Sequence, residues 1–113
     1  MAVYSVNIVI DQGVDFTQSF TLESSASNAP TNLTGYTGAA QLRKHSASSK
    51  FYSFTVQFPD RVGGKVVITM TNEITRRIKP GRYIYDIILT DGDGLKERVV
   101  EGSVLVREGA TRE

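Results

Sequence analysis

The chain has 113 residues, 40% of them hydrophobic and 22% charged, with a formal net charge of +1 and no cysteine. That length holds one core and not two, and the composition is that of a globular domain, not of a disordered tail. Near-neutral charge argues against nucleic acid as a partner, which needs surplus Lys and Arg to displace counterions, and without cysteine the fold relies on packing alone. No run approaches the roughly 18 apolar residues of a membrane span, and no basic-then-apolar leader is visible at Met1. The expectation is one domain over residues 1–113, made in a cytoplasm, with no membrane partner and no cofactor.

The dominant period is two, the signature of half-buried strands. Residues 3–10 place Tyr4, Val6, Ile8 and Ile10 on one face, and residues 15–22 do the same with Phe16, Phe20 and Leu22. After a polar loop, residues 36–44 put Gly38, Ala40 and Leu42 together, and residues 50–58 align Tyr52, Phe54, Val56 and Phe58. Gly63-Gly64 turns the chain back into residues 65–70. The segment 71–78 breaks the period: Ile74 and Ile78 lie four apart, Thr71 stands where a helix cap belongs, and Pro80-Gly81 ends the segment. Residues 82–90 and 96–106 form the last pair across Asp91-Gly-Asp-Gly94.

In Pro80-Gly-Arg-Tyr83, a tyrosine follows a glycine corner at the start of the sixth strand, the place of a tyrosine corner whose hydroxyl ties back to upstream backbone. Tyr85 stands where a disulfide-bonded domain would carry its second cysteine, and fills that volume with a ring. The expected fold is all-β, an immunoglobulin-like β-sandwich of about seven antiparallel strands with one short helix between the fifth and sixth, ending in a short flexible tail.

Residues with catalytic chemistry are sparse. His45 lies in a small polar loop with no carboxylate nearby to orient it. Asp91-Gly-Asp-Gly94 resembles the opening of a calcium loop but lacks the later ligands, so a hairpin turn accounts for it. Asp86 and Glu101 point outward on neighbouring strands with no cleft between them. Arg43, Lys44 and Lys50, without aromatic interleaving on the exposed face, read as ordinary surface charge. No enzyme and no metal site is expected.

If the last hairpin turns through residues 91–94, paired numbers sum to 185. Tyr83 and Tyr85 then face the core opposite Gly102 and Val100, while Ile84, Ile88, Val99 and Leu105 form an apolar stripe outside. Val3 and Val9 extend the stripe if the first strand joins that sheet, and Arg112 in the tail is a further candidate contact. A contiguous apolar set of this kind marks a protein interface.

Three segments carry a family resemblance. The stretch from Ile10 to Leu22, IDQGVDFTQSFTL, resembles the opening of small virion proteins. Asn32 to Lys44, NLTGYTGAAQLRK, resembles one of their central strands, and Lys79 to Asp86 with Arg98 to Val104 resembles their closing pair. Together these are similar to the immunoglobulin-like N-terminal module of phage baseplate upper proteins and to short structural proteins of tailed phages. The resemblance implies a stand-alone adaptor or decoration module in the virion, on tail, baseplate, neck or capsid. Its partners would be other phage virion proteins, with the chain itself present as a homo-oligomer or symmetric array. The alternative is a carbohydrate-binding module of a surface-attachment apparatus.

Overall fold

A computed structural model describes residues 3–23 and 29–111. It contains eight strands and one helical turn: β1 (Tyr4–Ser5), β2 (Ile8–Asp11), β3 (Phe16–Thr21), β4 (Thr37–Arg43), β5 (Tyr52–Asp60), β6 (Lys65–Met70), α1 (Asn72–Thr75), β7 (Gly81–Thr90) and β8 (Lys96–Arg107). The chain is all-β, as its alternating pattern predicts. Neighbours run in the order β1, β8, β7, β4, β5, β6, β3, with β2 also on β8.

The sheet curls because β5 changes partner partway along. Its residues Tyr52 to Phe54 pair with Leu42 to Ala40 of β4, whereas Thr55 to Gln57 pair with Thr69 to Val67 of β6. Beyond this, the register slips between Gln57 and Asp60, where Pro59 has no N–H for the ladder. Phe54, at the change-over, meets Phe16 of β3 at 5.8 Å between ring centroids and Tyr85 of β7 at 6.2 Å. One core therefore fills the inside of the curl, with Ile10, Leu22, Leu33, Leu42, Ile68, Ile78, Ile87 and Leu89 almost wholly buried. The inward residues anticipated on β2, β3, β4 and β5 are the ones found there.

Three features depart from the expected pattern. The first is the N-terminal strand, which is broken at Val6-Asn7 and runs parallel to β8, not antiparallel. A buried tyrosine hydroxyl needs a partner, and Tyr85 finds one by donating to the Val6 carbonyl at 2.6 Å. The strand opens there, and Asn7 Oδ1 accepts the Ser103 N–H at 3.0 Å. Gly102 makes this possible, because a Cβ on it would lie 2.0 Å from the Val6 carbonyl oxygen.

The second departure is the β7–β8 register. The turn takes five residues, Asp91 to Leu95, because the Asp91 carboxylate accepts both the Asp93 and the Leu95 N–H, at 2.8 and 3.0 Å. Gly94 adopts φ 85° to close it. Val99 is then an extra residue, since Ile87 pairs with Val100 but Ile88 with Arg98. A β-bulge of this kind re-aims one side chain. Val99 and Val100 are both 1% exposed, so Val99 is a core residue and not part of an outer stripe. Past the bulge the offset from the expected register totals two, which restores parity. Tyr85 thus faces Gly102, where Val100 was expected, and Tyr83 faces Val104, where Gly102 was expected.

The third is the helix, one turn long and following the sixth strand, because the N-terminal segment counts as two. Thr71 makes no side-chain cap. Asp15 does so instead, accepting the Asn72 N–H at 2.7 Å and its amide at 2.9 Å. Gln12 reaches the other end of the segment, donating to the carbonyls of Ile78 and Arg76 at 3.1 and 3.3 Å. Thr75, fully buried, accepts the Gly13 N–H and donates to the Val14 carbonyl. The stretch Asp11-Gln-Gly-Val-Asp15 is thus a clasp that holds the helical turn over the end of the core, and Asp11 adds a two-pronged ion pair to Arg107 on β8.

Candidate interaction surface

Strand register places the outward residues of β2, β8, β7 and β4 in rows. Val9, Leu105 and Arg82 share one, Ser103, Ile84 and Arg43 the next, Glu101, Asp86 and Gln41 the third, and Arg98, Ile88 and Ala39 the fourth. Val9, Leu105 and Ile84 therefore run diagonally across three adjacent strands. Val9 is 47% and Ile84 42% exposed, and Leu105 is half-buried between them. These three form one apolar band.

The remaining stripe residues do not join it. Ile88, half-buried, is separated from Ile84 by the polar row, in which Asp86 receives an ion pair from Arg98 at 3.1 Å. Val3 is exposed ahead of β1, near the opposite end of β8 from Val9. Val99 is in the core for the reason given above, and Arg112 lies outside the described residues.

Tyr83 donates to the Lys79 carbonyl at 2.7 Å, a tie to backbone four residues upstream. Tyr52 reaches the same connection from β5, donating to the Arg77 carbonyl at 3.2 Å. Burial, then the neighbouring Tyr52, push the Tyr83 hydroxyl above its ordinary pKa, with Lys50 pulling the other way. Burial pushes Tyr85 up to about 12. Each shift disfavours a phenolate, so both rings are structural donors.

Arg43, Lys44 and Lys50 are not the plain surface charges that the sequence pattern indicates. Arg43 lies over the Phe51 ring at 4.7 Å, Lys44 over Tyr83 at 5.0 Å and Lys50 over Tyr52 at 5.6 Å. The Lys44–Tyr83 contact is invisible in a linear reading because the ring comes from β7, whereas Lys50 and Tyr52 lie only two residues apart. The signal that was present is parity: Lys44 continues the inward series of Ala40 and Leu42, and Lys50 precedes Tyr52 on the inward side of β5.

His45 and Ser48 approach to 3.1 Å between Nδ1 and Oγ, but within a turn: Ser48 N–H donates to the His45 carbonyl, and His45 N–H donates to Ser48 Oγ. Among the described residues no group of three His, Asp or Glu side chains is placed to hold a metal, and no helix is long and apolar enough to cross a membrane.

No protein-family model and no curated protein matches this sequence. Among solved structures the chain is similar to part of an internalin-like protein of Listeria monocytogenes, at 9% identity and a TM-score of 0.45, over 95% of this chain and 28% of that one. It is also similar to part of a family 123 glycoside hydrolase from Clostridium perfringens, at 13% identity and a TM-score of 0.43, over 96% of this chain and 24% of that one. The chain thus spans about a quarter of each of these proteins.

Proposed function

We propose that this chain is an immunoglobulin-like assembly module of a tailed-phage particle, which docks onto neighbouring virion proteins in many copies and carries no catalysis. The observation that supports docking is the Val9–Leu105–Ile84 band, an apolar surface crossing three strands on the outside of the sheet. Apolar area left facing water in a contiguous band is what a partner surface covers. The sandwich reading is supported by the pairing order. β3 with β6, β6 with β5, β4 with β7 and β7 with β8 are the neighbour relations of the B–E, E–D, C–F and F–G strands in an immunoglobulin domain.

The assignment to a virion rests on the three motif segments, and the clasp gives one of them a physical meaning. In Asp-Gln-Gly-Val-Asp, Asp15 caps the helical turn, Gln12 binds a carbonyl and Gly13 makes a left-handed turn, so three residues of that motif have a structural role here. Array symmetry would multiply a weak single contact by avidity.

Particles purified from a lysate and analysed by mass spectrometry should contain the chain at high copy. A V9D/I84D double variant should fold with an unchanged circular dichroism spectrum and fail to enter those particles. Normal incorporation of that variant would remove the outer face from the proposal, and absence of the wild-type chain from particles would sink the virion reading itself.

A further inference from the structure

The end of the core beside the β4–β5 loop is open, and a cavity of about 240 Å³ occupies it, lined among others by Leu42, Lys44, Lys50, Tyr52, Lys79 and Tyr83. Leu42 is its buried floor, and the two tyrosines are its walls. Each of two ammonium groups sits against a ring, Lys44 on Tyr83 and Lys50 on Tyr52, which restricts where these flexible side chains point. Lys79 comes from the connection that both tyrosine hydroxyls bind, through the carbonyls of Arg77 and Lys79 itself.

Three features of this cavity select a ligand. Among the described residues no carboxylate belongs to its lining, so its three lysines border a space with no anion of its own. The tyrosine hydroxyl protons are committed to backbone carbonyls, which leaves cationic N–H groups as the main donors offered to an occupant. The floor and walls are apolar, which suits an occupant with a short hydrocarbon stem beneath a charged head. We propose that this end cavity is an oxyanion site that receives a carboxylate side chain from an acidic segment of a partner protein. Glutamate fits the chemistry, with its methylene groups against Leu42 and the rings and its carboxylate among Lys44, Lys50 and Lys79. The site is separate from the Val9–Leu105–Ile84 band and stands or falls without it.

A free phosphate ion offers the same oxyanion chemistry, and the experiment separates the two. ¹⁵N-labelled protein at low ionic strength is titrated with an acetylated hexaglutamate peptide and, in parallel, with inorganic phosphate. Hexaglutamate should shift the amide resonances of Lys44, Ser48, Lys50 and Lys79, with phosphate acting more weakly at the same residues. K44M/K50M keeps an unbranched side chain at each position while removing the charge, and should weaken the peptide about tenfold, as expected for loss of two charge-assisted contacts. K79Q, on a connection outside the strands, provides a second test and should weaken it less. K65Q/K96Q at the opposite end should bind as wild type does. Phosphate binding with no response to the peptide would reassign the site to a small free anion and overturn the acidic-segment proposal. No response to either, or equal loss in K65Q/K96Q, would overturn the site altogether.

Discussion

The two ends of the curled sheet are made by the same strands and treat positive charge in opposite ways. At the β5–β6 turn, Arg61 lies over the Phe58 ring at 4.3 Å and donates to the carbonyls of Leu33 and Tyr36 at 3.0 and 2.7 Å. Its own carbonyl accepts the Leu33 N–H, so one residue ties the loop before β4 down on the core. At the other end Lys44 and Lys50 also sit on rings, but among the described residues no carbonyl takes up their N–H groups, and a cavity lies beside them. Stacking on a ring is common to both ends. What separates a structural cation from one available to a ligand is whether backbone acceptors consume its donors.

That contrast sets an order of expected effects. R61M should cost the most, about 2–3 kcal/mol in urea unfolding, because it removes a charged donor from two carbonyls at once. A loss below about 0.5 kcal/mol would mean that the closed end is held by packing alone.

Alkaline pH tests the interior between the two ends. The folded-state pKa of Tyr85 is raised to about 12, while the unfolded chain ionises near 10.0. Stability is therefore complete below about pH 10 and falls as pH rises towards 12, by about 2 kcal/mol over that window. Y85F should flatten this decline, at the expense of leaving the Val6 carbonyl without its donor at every pH.

Q12A should cost about 1 kcal/mol, since it frees two carbonyls at the end of the helical segment where water can reach them. K44M should change stability least, within about 0.5 kcal/mol, and any gain would reflect relief of repulsion from Lys50 and Lys79. If K44M were instead as damaging as R61M, the distinction between the two ends would fail.

A good part of this was legible in the chain itself. Alternation placed Ile8, Phe20, Leu42, Phe54 and Tyr85 inside, because the pleat turns successive side chains to opposite faces whatever the neighbouring strand is. The position of Tyr83 after a glycine corner anticipated its tie to upstream backbone. The outer band was half legible: Val9, Ile84 and Leu105 keep their faces, whereas Val99 does not. Its misplacement traces to one carboxylate, Asp91, which lengthens the turn by binding two N–H groups of its own loop, and to the bulge that follows.

The net charge of +1 was the least informative quantity read from the sequence. A sum carries no position, and the fold gathers Lys44, Lys50 and Lys79 from two connections at one end while Asp91 and the exposed Asp93 lie in the turn at the other. Periodicity alone therefore determined that this is an all-β chain with one apolar face per strand, since that follows from local backbone geometry. The parallel N-terminal pairing, the burial of Val99 and the cationic cavity were decided by tertiary structure. Each depends on residues far apart in sequence: Tyr85 with Val6, Val99 with the core, and Lys44 with Tyr83 of β7 beside Lys79 of the connection before it.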